Sequence, residues 1–89
     1  MQLHSVYFDG FNENWHISPT TTPLHILILV TEGKLSYHVD RICLDLTKGD
    51  ILFIPAGSLR SASNHPTELH QKYSAHFSLD FSANELFSL

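Results

Sequence analysis

Eighty-nine residues, 43% of them hydrophobic and 16% charged, make one small globular domain, with no room for a catalytic domain beside a separate regulatory one. The net charge is −4, and the five basic residues Lys34, Arg41, Lys48, Arg60 and Lys72 are scattered singly, which argues against direct contact with a phosphate backbone. Cys43 is the single cysteine, so an internal disulfide and a Cys-based zinc site are excluded, in keeping with a cytoplasmic setting.

Residues 1–22 form an N-terminal segment whose start, Met1-Gln2-Leu3-His4, has neither the basic nor the apolar region of a signal peptide. Leu24–Val30 follows, a β-prone run bounded by Pro23 and Glu32-Gly33, and is expected to be a strand buried on both faces. At seven residues it is far short of the ~20 of a membrane helix. A turn at Glu32-Gly33-Lys34 leads to Leu35–Val39, which alternates apolar with polar side chains. Asp40-Arg41 breaks that pattern and Ile42–Leu46 resumes it, so these two strands are expected to form a hairpin. Lys48-Gly49-Asp50 is the next turn, Ile51–Ile54 the next strand, and Pro55-Ala56-Gly57 its end.

Ser58–Glu68 is polar and holds Asn64-His65-Pro66, so a loop is expected there, with a few extended residues near Arg60. A final alternation places Tyr73, Ala75, Phe77, Leu79 and Phe81 on one face and Ser74, His76, Ser78 and Asp80 on the other. Short strands at this spacing predict an all-β sandwich or barrel over residues 23–81. Ser82-Ala83-Asn84-Glu85 then has the form of a capping box, so residues 82–89 are expected to begin a helix. That helix is either a natural terminal turn or the point at which a longer protein is cut, and its shortness favours the second.

The most specific pattern runs from Gly49 to Asn64. Gly49, Pro55, Gly57 and Asn64 fall at the spacing glycine, five residues, proline, one residue, glycine, two residues, histidine, three residues, asparagine, with Arg60 in the place of the histidine. It resembles the second cupin motif. The first cupin motif is weaker: if Gly33 is its closing glycine, Ile26 stands where the family has a metal-binding glutamate. Pro19, Thr20, Thr21 and Thr22 fill the window of its two histidines. The resemblance therefore implies a double-stranded β-helix, or jelly-roll barrel, that has lost its metal and carries no other cofactor.

The order Leu24–Gly33, Lys48–Gly57 and Ala75-His76-Phe77 is similar to that in the N-terminal sensing domain of AraC-type transcription regulators. Such a domain binds a small effector, often a sugar, and dimerises, while a separate C-terminal pair of helix-turn-helix motifs binds DNA. The resemblance thus implies a non-enzymatic, cytoplasmic domain within residues 1–89, with the DNA-binding part outside them.

Arg60 is the first candidate for effector contact, because a guanidinium offers five donors to a carboxylate, a phosphate or a pair of sugar hydroxyls. The alternative is that it pairs with an acidic neighbour such as Glu32 or Asp50, or points to solvent. Trp15 offers an aromatic face to a sugar, Tyr37 a hydroxyl inside the barrel, and His25 a ring at the start of the first strong strand. No two of the seven histidines have a chelating spacing, although His25, His38 and His76 form the most plausible trio from separate strands. No catalytic residue is assigned: Cys43 lies mid-strand, and the carboxylates fall mostly in turns. A metal-dependent cupin enzyme and a stand-alone binding cupin remain the alternatives.

Overall fold

A computed structural model describes residues 1–79, which form seven strands and no helix. These are β1 (Gln2–Asp9), β2 (His16–Thr21), β3 (His25–Val39), β4 (Ile42–Thr47), β5 (Ile51–Ile54), β6 (Leu59–Asn64) and β7 (His70–Ser78). All pairings are antiparallel; the main order is β1-β7-β3-β6-β2, with β4 and β5 also bonded to β3, so the curled sheet is organised around β3. The expected all-β architecture is present. The helix expected at 82–89 lies outside the described residues.

The two strands expected on either side of Glu32-Gly33-Lys34 are one. β3 runs unbroken through fifteen residues: His25–Gly33 pairs with β7, with β5 on its other side, and Lys34–Val39 pairs with β4 and β6. Gly33, at φ 74°, is the point of change. A Cβ at this position would overlap the carbonyl of Leu69, so both the left-handed backbone and the close approach require glycine.

Alternation along β3 places Ile26, Ile28, Val30, Leu35 and Tyr37 inside, where Leu46, Ile54 and Ala62 complete the core. Each large aliphatic side chain so buried contributes about 1.5–3 kcal/mol. The expectation that Leu24–Val30 is buried on both faces fails: Leu27 and Leu29 remain 42% and 40% exposed, beside exposed Ile51 and Tyr73. Among the described residues no second layer covers this outer face. The hairpin at Asp40-Arg41 is present, with Tyr37 opposite Leu44 and Val39 opposite Ile42.

Three further expectations change. The N-terminal segment holds two strands, since β1 is laddered to β7 and β2 to β6. Pro19, which has no N–H to give, falls where the β2 register shifts at the sheet edge. The stretch expected as a loop contains β6, because pairing to β2 and β3 on its two sides overrides the weak strand preference of Leu59–Asn64. Finally, β7 turns its polar face inward: His70, Lys72 and Ser74 are buried while Tyr73 faces out.

Gly33→Ala is expected to lower stability by more than about 2 kcal/mol in urea unfolding, because neither the backbone angle nor the Leu69 carbonyl accommodates a methyl group.

Candidate functional site

The inward polar face of β7 opens onto a cavity of about 390 Å³, within the ~300–1,000 Å³ range of small-molecule sites. Lys72, Ser74 and His76 line it from β7, Arg60 from β6, Ile17 from β2, and Tyr7, Phe8 and Asp9 from β1. Trp15, just before β2, adds an aromatic wall.

Asp9 is opposite Lys72 in the β1–β7 ladder, so strand register sets their charges against each other. The Lys72 side chain is only 3% exposed, and its ammonium donates to Asp9 Oδ2 at 2.6 Å and to Ser74 Oγ at 3.1 Å. It also lies 5.0 Å from the Trp15 ring centroid, a cation–π distance. Burying a lone ammonium would cost several kcal/mol; these three partners offset that cost.

Trp15 is held by the preceding turn. Asn12 accepts from the Asn14 and Trp15 backbone N–H groups through its side chain and carbonyl respectively, and the Asn64 side chain donates to the same carbonyl at 2.9 Å. Asn64, the last landmark of the cupin-like motif, thereby ties the end of β6 to the turn that carries Trp15. His70 packs edge-on to the Trp15 ring, 4.5 Å between centroids, and neither ring nitrogen has a hydrogen-bond partner among the described residues.

Arg60 donates through a terminal nitrogen to the Tyr37 hydroxyl at 2.9 Å, while its Nε is buried without a partner. The acidic partners considered from sequence are engaged elsewhere: Glu32 with Lys48 at the surface, and Asp50 with the Thr47 N–H. Gly57, at φ 88°, closes the turn before β6, which carries Arg60.

Of the four candidates, Arg60 and Trp15 line the cavity, and Tyr37 stands behind Arg60 as its hydrogen-bond partner. His25 lies apart. Its Nδ1 accepts from the Ala56 N–H, and its ring stacks near Phe53 and Phe77, because the start of β3 is at the Pro55-Ala56-Gly57 turn. His38 is exposed beside Cys43 and His76 is in the cavity, so the trio His25, His38 and His76 does not assemble. Among the described residues no three His, Cys, Asp or Glu side chains are placed to hold a metal, and Arg60 is a permanent cation. The donor set does not fit a metal.

Asp9, Lys72 and His70 were missed in the sequence. Extending the β7 alternation back from Ser74 by twos would have placed Lys72 and His70 on its polar face. The cations affect their neighbours: burial first, then Arg60 and Lys72, push the His76 imidazole below its usual range. Burial and Lys72 do the same to His70, against an upward pull from Asp9. Burial raises the Tyr37 phenol despite the opposing charge and hydrogen bond of Arg60.

A family model described as the AraC-like ligand binding domain matches residues 3–87. Among solved structures, a cupin-like protein from Thermotoga maritima superposes with a TM-score of 0.75 at 23% identity, covering 83% of this chain and 56% of that one. An RmlC-like cupin from Shewanella frigidimarina gives 0.71 at 20% identity, over 89% of this chain and 69% of that one. A polyketide cyclase from Streptomyces resistomycificus gives 0.63 at 16% identity, over 76% and 54%. These likenesses show the cupin fold, and the chain spans just over half the length of the Thermotoga protein. No curated protein matches the chain.

Two outcomes follow from the buried charges. Asp9→Ala is expected to cost about 3 kcal/mol in urea unfolding by stranding the Lys72 ammonium, and pairing Asp9→Leu with Lys72→Met to recover most of it. Because His70 is held neutral in the fold, the unfolded chain binds the proton more readily once the pH drops below about 6.5. His70 therefore contributes stability that is present above that pH and lost below it. A melting series from pH 7.5 to 5.5 is expected to fall more steeply for the wild type than for His70→Leu.

Proposed function

Because the chain belongs to the AraC-like ligand binding domain family, we propose that it is the ligand-sensing domain of an AraC-type transcription regulator. It takes a small polar effector, for which a sugar is one class, into a metal-free cupin barrel. One observation carries this reading: Arg60 reaches a ligand-sized cavity with a buried Nε that no group among the described residues satisfies. A ligand acceptor there would remove the penalty of the orphaned donor.

The role is binding rather than catalysis. The Ser74 hydroxyl accepts from the buried Lys72 ammonium, which also donates to Asp9, so neither of these two partners is placed as a base to activate it. Cys43 is exposed on β4, outside the cavity lining. Arg60 supplies the polar contact, Tyr37 fixes its orientation, and Trp15 covers the apolar side of the effector. His25, hydrogen-bonded at the Ala56 turn, is left out of this contact set.

Family membership supports the remaining parts of the proposal: a cytoplasmic homodimer that contacts DNA through a separate C-terminal helix-turn-helix domain. The single, scattered cations of residues 1–89 agree with leaving DNA contact to that other domain. No described helix is long and apolar enough to cross a membrane. Effector and DNA would be coupled through whatever two-state element both of them bias.

A thermal-shift screen of sugars and small organic acids, followed by calorimetry, is expected to yield a ligand that also shifts Trp15 emission. Its affinity should fall at least tenfold in Arg60→Ala, or about 1.4 kcal/mol. Unchanged affinity in that variant would place the binding site elsewhere.

A further inference from the structure

We propose that the cavity is an anion site whose ligand is a small organic acid, its single carboxylate held between Arg60 and Lys72. The inference rests on the effector-binding reading of the same cavity and goes further by naming the ligand's charge. Two cations line the walls, Arg60 and Lys72, against one carboxylate, Asp9. Asp9 is already bonded to Lys72 at 2.6 Å. Among the described residues Arg60 makes no ion pair; its side-chain partner is the uncharged Tyr37 hydroxyl. The cavity therefore holds an uncompensated positive charge, with a buried N–H at Arg60 Nε still lacking an acceptor.

The donor arithmetic points the same way. Arg60 has five N–H groups and Lys72 three, and their side-chain bonds use one and two of them respectively. A carboxylate supplies two acceptor oxygens together with the missing charge, in the paired geometry that a guanidinium binds best. Sugar hydroxyls would accept the hydrogen bonds and leave the charge unbalanced. Burial first, and the nearby cations second, lower the proton affinity of His70 and His76, which keeps these rings from adding to the charge near neutral pH. Trp15 and Ile17 give the acid an apolar wall for its body. With one net charge to balance, monoanions are preferred to dianions.

Trp15 is the only tryptophan and lines this cavity, so its fluorescence reports on the site alone. The test uses the full chain at pH 7.5 and constant ionic strength, with iodide and caesium as oppositely charged collisional quenchers of Trp15, each quenching constant divided by that of the same ion for free N-acetyltryptophanamide. Iodide is expected to quench at least about threefold more effectively than caesium, through local enrichment of anions. In Arg60→Gln that ratio should fall toward one. Benzoate should protect Trp15 from iodide, and its uncharged counterpart benzamide should not. If caesium quenches as well as iodide, or if acid and amide protect equally or not at all, the anion site is overturned. A neutral sugar that still shifts Trp15 emission and needs Arg60 would then leave the effector-binding reading standing. The wild-type quenching ratio carries the test by itself if Arg60→Gln does not fold.

Discussion

At Gly33 the backbone of β3 adopts a left-handed conformation against the Leu69 carbonyl, and this close approach allows one strand of fifteen residues to serve both halves of the sheet. Before Gly33, β3 pairs with β5 and β7; after it, with β4 and β6. Among the described residues, five of the eight core side chains come from this strand. A side chain at Gly33 would separate β3 from the start of β7, and with it the wall that carries His70, Lys72 and Ser74. The shape of the cavity therefore depends on a backbone contact at the sheet's centre, some distance along the chain from the groups that line it.

The second organising feature is the distribution of polarity. In a domain of this size, burial of apolar surface is the main source of stability, yet β7 directs its polar face inward and leaves Tyr73 outside. Such an inversion is tolerable only where the buried groups find partners. Lys72 has Asp9, Ser74 and the Trp15 ring; Arg60 has Tyr37. The satisfaction is incomplete, since among the described residues Arg60 Nε, Asn64 Oδ1 and both ring nitrogens of His70 find no partner. Departures from the rules of stable packing concentrate at functional sites; here Arg60 lines the cavity, while His70 packs on the Trp15 ring and Asn64 bonds to the turn that carries it.

Sequence patterns disclosed the fold well for a physical reason. Period-two alternation, the turn at Asp40-Arg41 and the spacing from Gly49 to Asn64 are local signals, and the strands and turns they specify are present. β6 escaped notice because Leu59–Asn64 has little intrinsic preference for strand, and β1 and β2 because their strand formers, Val6-Tyr7-Phe8 and Ile17, show no sustained alternation; cross-strand ladders supply what the local chain does not. The same limit explains the site. Arg60 and Trp15 stood out by chemistry and lie in the cavity lining, whereas Lys72 looked like one more scattered surface cation. Its role depends on the register that sets it against Asp9, sixty-three residues away.

By itself the sequence determined the all-β class, the cupin-like turn pattern and the replacement of a histidine by Arg60, because each is written in neighbouring residues. Only the tertiary structure decided that β3 is one strand, that β7 faces its polar side inward, and that His25 belongs to the Ala56 turn while Asp9 and Lys72 belong to the cavity. Those outcomes depend on which strands pair, in what register and around which side, and such long-range choices are made by the whole folded sheet at once.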